Sequence, residues 1–127
     1  MDYSISITEK SINLNLSGSP SSQKLLVALD EVSSELKKMT IPVLFINGEQ
    51  LDKPFILQDR FYIFTCLKEL NIDKSTKIII QSKDDIANRD LLEMMAKNRG
   101  WLLKHFNSRN LVDRFIDKIH NPSIYIK

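Results

Sequence analysis

Apolar and polar residues alternate over residues 3–8, where Tyr3, Ile5 and Ile7 fall on one side and Ser4 and Ser6 on the other. The alternation returns at Ile12, Leu14 and Leu16, with Ser11, Asn13 and Asn15 around and between them. Successive strand side chains point to opposite faces of a sheet, so two such runs separated by Glu9-Lys10 predict an antiparallel hairpin with one covered face. The period then changes. Gly18-Ser19-Pro20-Ser21-Ser22 supplies a turn and a helix cap. Beyond it Leu25, Leu26, Leu29, Val32, Leu36 and Met39 recur at helical spacing, with charged residues mostly on the other face. This is an amphipathic helix that needs a sheet to lie on.

Residues 41–47 (IPVLFIN) are almost continuously apolar, as expected of a strand covered on both faces. Gly48 is expected to end that strand, and residues 49–54 to form a polar loop. A second helix is expected from about Gln58 to Leu70, with Phe61, Phe64, Leu67 and Leu70 inward. Residues 77–81 (KIIIQ) read as another short buried strand. A third helix is expected to open at Ser82-Lys83-Asp84-Asp85, where serine or aspartate would cap and acids suit the first turn. It carries Ile86, Leu91, Leu92, Met94, Met95 and Ala96 and stops at Gly100, the residue type that best tolerates a left-handed C-terminal position. Residues 101–106 form a last strand. Asn107 or Ser108 caps a final helix with Leu111, Val112, Phe115, Ile116 and Ile119 inward, ended by Asn121-Pro122. The tail 123–127 offers a further edge strand. The expected order is β-β-α-β-α-β-α-β-α: one α/β domain over residues 1–127, with a mixed, mostly parallel sheet of about five strands opening on an antiparallel hairpin.

Composition narrows the chemistry more than the fold. With 127 residues, 43% hydrophobic and 27% charged, the chain is an ordinary globular one. Only three glycines are present, which excludes a glycine-rich phosphate cradle. The single cysteine, Cys66, rules out an internal disulfide and a cysteine zinc site, and its apolar neighbours suggest burial. The start (MDYSISITEK) has no signal-peptide pattern, and no apolar run approaches the ~20 residues of a bilayer span, so a cytoplasmic protein is expected.

The net charge of +2 is distributed unevenly: residues 1–52 carry four basic groups against seven acids, the remainder fourteen against nine. The run Lys97, Arg99, Lys104, Arg109 invites a nucleic-acid reading. However, a strand of ~3.3 Å per residue between Arg99 and Arg109 holds them roughly 20 Å apart, and no aromatic residues alternate on an exposed face for base stacking. Nucleic-acid binding is therefore not expected. The two histidines, His105 and His120, lack a helical-spaced ligand partner, so no metal and no cofactor is expected. No catalytic constellation is recognisable. A small acidic substrate handled by Lys83, His105 and Arg109 is the weakest of the functional readings.

In open parallel sheets ligands bind beyond the strand C-termini, where the crossover direction reverses. That edge should carry Asn47, Gly48, Glu49, Gln50, Leu51 and Phe55 from the first loop. Ser82 and Lys83 follow from the second, and Asn107, Ser108 and Arg109 from the third. Helix starts at Ser82 and Ser108 would present free N–H groups to an anion; the plain alternative is that these serines are caps and the cations solvated surface. Tyr3 and the tail 124–126 are candidate edge elements for a homodimer.

The element order, together with the turn Ala96-Lys97-Asn98-Arg99-Gly100-Trp101 leading into Lys104-His105-Phe106, resembles the STAS family. This is the domain of bacterial anti-sigma factor antagonists and of anion-transporter tails, and the compact sporulation-antagonist-like members are the more similar. The resemblance implies a bacterial, non-enzymatic regulatory module that binds a protein partner through the 47–55 loop and the adjacent helix. Phospho-switched antagonists carry a serine or threonine at the start of the helix after the third strand. Here no serine or threonine lies between Thr40 and Thr65, so that switch is not expected. The alternative function is a small-molecule binding domain, taking an anion or a lipid-like apolar ligand at the strand edge or under the aromatic helix.

Overall fold

A computed structural model describes residues 1–83 and 86–122, the side chains of residues 86 and 87 excepted. The alternating runs form the expected hairpin, β1 (Asp2–Ile7) with β2 (Ile12–Gly18), paired antiparallel from Asp2 with Ser17 to Ile7 with Ile12. Three further strands, β3 (Val43–Leu51), β4 (Lys77–Gln81) and β5 (Leu102–Phe106), add in parallel, and the sheet runs β1-β2-β3-β4-β5. The helices are α1 (Ser22–Leu36), α2 (Leu57–Leu67), α3 (Ile86–Asn98) and α4 (Arg109–His120).

Two apolar layers sandwich the sheet. Leu14, Leu16, Leu44, Ile78 and Leu103 meet α1 through Leu25, Leu29 and Val32, α2 through Phe64 and Leu67, and α3 through Leu92 and Met95. On the other face Val43, Phe45 and Ile79 are covered by Val112 and Ile116 of α4. Val43, Leu44 and Phe45 are fully buried, which is why this strand could dispense with polar alternation. Because the parallel strands follow one another in chain order, the three crossover helices lie on one face. The sheet therefore has no reversal of crossover direction and no crevice of the kind a reversal makes, contrary to the expectation from sequence.

The caps behave as their residue types require. The Ser21 side chain accepts from the Lys24 N–H at 3.3 Å at the start of α1. At the end of α3, Gly100 stands at φ +82°. Its N–H donates to the Lys97 carbonyl, while Trp101 N–H donates to Ala96, a Schellman closure. Asn71 does the same for α2 at φ 61°.

Several expectations need correction. Gly48 does not end the third strand. β3 runs on to Leu51 beside β2, carrying one extra residue between Asn47 and Gln50 where β2 has only Leu16 between Asn15 and Ser17. Ser82 is not a helix start: its N–H is taken by the Phe106 carbonyl at 3.2 Å, and α3 begins at Ile86. Phe61 and Leu111, expected inward, are 40% and 43% exposed. Cys66 is only half-buried. The helix opening at Asp84-Asp85 and the tail 123–127 lie outside the described residues. Among the described residues no helix is long and apolar enough to cross a membrane.

A Cβ at Gly100 would meet only the Lys74 side chain, no closer than 3.4 Å, so space is not its constraint. Gly100→Ala should therefore cost about 1–2 kcal/mol through the left-handed backbone alone. Urea denaturation checks this; an unchanged midpoint would mean that the turn relaxes freely.

Candidate functional site

The C-terminal ends of β3, β4 and β5 do share one edge, but the sheet divides the residues delivered there between its two faces. The extra residue in β3 is part of the cause, since a bulge resets which side chains point to which side. On the α4 face, Asn47 Nδ2 donates to Asn15 Oδ1 at 3.4 Å, and the Glu49 N–H donates to Asn47 Oδ1 at 3.1 Å. Gln81 Nε2, from a buried side chain, donates to Glu49 Oε2 at 2.9 Å. Asn47 and Glu49 are thus committed to one another and to the sheet. Gln50, Lys83 and Asn107 are exposed. Ser108 is the N-cap of α4 without a side-chain capping bond. Arg109 lies over the Phe45 ring at 4.9 Å and pairs with Asp113 at 3.0 Å. His105 belongs to the other face, so Lys83, His105 and Arg109 do not form one constellation.

On the face of the three crossover helices lies a cavity of about 90 Å³ between the sheet and α1–α3. Of the expected edge residues, Gly48, Leu51, Phe55 and Ser82 line it. Its other walls are almost wholly aliphatic or aromatic, with Leu29, Leu44, Ile63, Leu67 and Leu103 among them, and its polar lining side chains are Arg60, Ser82 and His105. Sequence reasoning had no signal for the walls. Each is an ordinary core position, and only packing decides whether facing positions leave a gap.

His105 is the most constrained polar group here. It is 5% exposed, and its Nε2 lies 2.7 Å from Ser82 Oγ. Its backbone N–H donates to Glu93 Oε1 of α3 at 2.9 Å. Nδ1 is buried without a hydrogen-bond partner, and so is Nε of Arg89. Burial first, and then the positive charges of Arg89 and Arg60, lower the His105 pKa from its ordinary value to about 4. The imidazole is neutral at physiological pH, and whichever tautomer bonds Ser82, Nδ1 stays unpaired. Ser82 and His105 have the spacing of a nucleophile and its base. Yet the far ring nitrogen meets no carboxylate, and an imidazole titrating near 4 is a weak base. The pair is better fitted to hold a polar group at the cavity than to activate a hydroxyl. Among the described residues no group of three His, Cys, Asp or Glu side chains is placed to hold a metal ion.

Beside the cavity, the start of α2 turns apolar residues outward. Ile56 is 56% exposed and Tyr62 54%, with Leu57 and Phe61 also exposed. The Arg99 guanidinium lies 4.9 Å over the Phe61 ring. Arg99 therefore belongs to the α2 side and Arg109 to the α4 side, so the basic run seen in the sequence makes no single patch.

An antiparallel hairpin extended by three parallel strands, with three helices on one face and one on the other, is the STAS fold. Among solved structures, the chain is similar to that of the anti-sigma factor antagonist SpoIIAA in its unphosphorylated form, with a TM-score of 0.54. The match covers 90% of this chain and 97% of that one at 11% sequence identity, a level at which the likeness concerns the fold. No protein-family model and no curated protein sequence matches the chain.

The depressed His105 pKa has a measurable consequence. The fold disfavours the charged ring, so the unfolded chain binds that proton more readily. This contribution is complete above about pH 6.5 and is lost as the pH falls from there towards 4. Its size is on the order of 3 kcal/mol. Urea unfolding of the wild type and His105→Gln at pH 7, 6, 5 and 4.5 should show the wild type losing stability more steeply. Parallel curves would mean that His105 does not titrate with folding.

Proposed function

We propose that this chain is a regulatory protein-interaction module of STAS type, without enzymatic activity, that engages its partner through the start of α2 and the adjoining end of the 47–55 segment. The observation that carries this reading is the exposed apolar group Ile56, Leu57, Phe61 and Tyr62. Four large apolar side chains within seven positions, on a fold also found in an anti-sigma factor antagonist, form an exposed apolar patch of the kind that marks an interaction surface. Leu51 and Phe55 line the cavity, so the contact surface moves a few residues along the chain from where the sequence suggested it.

The module works without a phosphate switch at the start of α2. Ile56 is the N-cap there and offers no hydroxyl, and no serine or threonine stands anywhere between Thr40 and Thr65. A phosphate at a helix start would bring both charge and a change of surface; in this chain the same place is apolar, which suits a constitutive contact.

The test is cross-linked affinity capture from the cells of origin. The recovered protein is then purified and its binding measured to the wild type and to Ile56→Ser/Tyr62→Ser. The exposed positions leave the circular dichroism unchanged, and affinity should fall at least tenfold, since apolar and tyrosine anchors at the centre of an interface dominate its energy. Equal affinity of the two proteins would overturn the assignment of this surface.

A further inference from the structure

The cavity under α1–α3 is polarised from end to end. Its aliphatic walls include Leu29 of α1, Leu67 of α2, Leu92 of α3 and Leu44, Ile78 and Leu103 of the sheet. Its polar lining side chains gather at the C-terminal edge of the strands. Ser82 follows β4, His105 is near the end of β5 and 2.7 Å from it, and Arg60 in the first turn of α2 is close enough to depress the His105 pKa. Arg60 Nε donates to the Phe55 carbonyl at 2.8 Å, which fixes the guanidinium at that end. His105, only 5% exposed, keeps Nδ1 without a partner, an unmet bond that calls for an explanation.

From this geometry we infer that the cavity is a binding site for a medium-chain aliphatic carboxylate, its chain among the leucines and its head at Arg60, Ser82 and His105. Size sets the chain length. At ~10–15 Å³ for each water-sized group, 90 Å³ admits about six to nine such groups, which corresponds to a chain of roughly six to eight carbons. Apolar walls of this kind leave water without partners, so the deep part of the cavity is dry and an alkyl chain entering it displaces no well-bound solvent. The polar end supplies what the head needs: the charge of the guanidinium, a hydroxyl and a neutral imidazole. The inference does not rest on the α2 docking surface, and either can fail without the other.

Amide chemical-shift titration of the full chain with sodium octanoate, 1-octanol and sodium acetate tests it. Octanoate should saturate, with the largest shifts at Leu29, Leu103 and His105. Octanol should bind at least fivefold more weakly, and acetate should not saturate at the concentrations used. Leu103→Trp, which fills the deep end, should weaken octanoate at least tenfold, and Ile63→Phe serves the same purpose if the first variant does not fold. Arg60→Gln should reduce octanoate to the affinity of octanol. Absence of saturable octanoate binding, or a folded cavity-filling variant that binds like the wild type, would overturn the site. Octanol binding as tightly as octanoate would overturn the carboxylate assignment.

Discussion

Burial of β3 on both faces is the constraint from which the rest of the architecture follows. Val43, Leu44 and Phe45 have no exposed surface, and adjacent strand residues cannot all be covered from one side. Leu44 needs the α1–α3 layer, and Val43 and Phe45 need a second layer. With all three crossover helices on one side, that second layer has to come from elsewhere, and α4 supplies it. Its docking is held beyond the apolar contact. Arg109 lies over Phe45 at one end of the helix. At the other, Lys10 in the β1–β2 turn pairs with Asp117 at 2.7 Å, and the Lys10 carbonyl accepts from His120 Nε2 at the same distance. The hairpin turn and the last helix are thereby joined across nearly the whole length of the chain.

How far the sequence could be read follows from which features are local. The hairpin, the Ser21 cap and the Gly100 closure depend on a few adjacent residues, and strict alternation, a serine before an apolar helix and a glycine after one are sufficient signals. The continuation of β3 past Gly48 was hidden because Gly-Glu-Gln reads as a turn. What keeps it in the sheet is pairing with Ser17 and Gly18, together with the Glu49–Gln81 hydrogen bond, and both partners are distant in sequence. Helical periodicity could not separate Phe61 and Leu111 from their buried neighbours, because it gives a stripe and not the width of the surface that covers it. For the edge residues, the sequence placed the strand ends together correctly. Alternation from Phe45 puts Asn47 and Glu49 on one face and Gly48 on the other, but nothing local signals the extra residue in β3 beyond which Leu51 turns to the cavity.

The polar groups at this edge illustrate two ways of managing burial. On the α4 face the Asn15, Asn47 and Gln81 side chains and both the backbone N–H and the carboxylate of Glu49 form a chain of hydrogen bonds, in which Gln81 Oε1 is the buried side-chain atom left without a partner. On the cavity face a single histidine is held by one side-chain bond with half its polar capacity unused. The first arrangement fixes the register of three strands. The second ties the end of β5 to Ser82, and burial lowers the affinity of the ring for a proton.

The cavity and the exposed apolar patch are built from one stretch of chain. Leu51, Pro54, Phe55, Arg60, Ile63 and Phe64 line the interior, while Ile56, Leu57, Phe61 and Tyr62 face outward from the same turn-and-helix unit. Because the helix alternates between the two surfaces every three or four residues, the inner and outer sets are not mechanically independent. An occupant among the inner residues would restrict the rotation of α2 about its own axis, and so the positions of the outer ones. The α2 unit thus couples interior packing to an exposed apolar surface, with an isoleucine at its first turn.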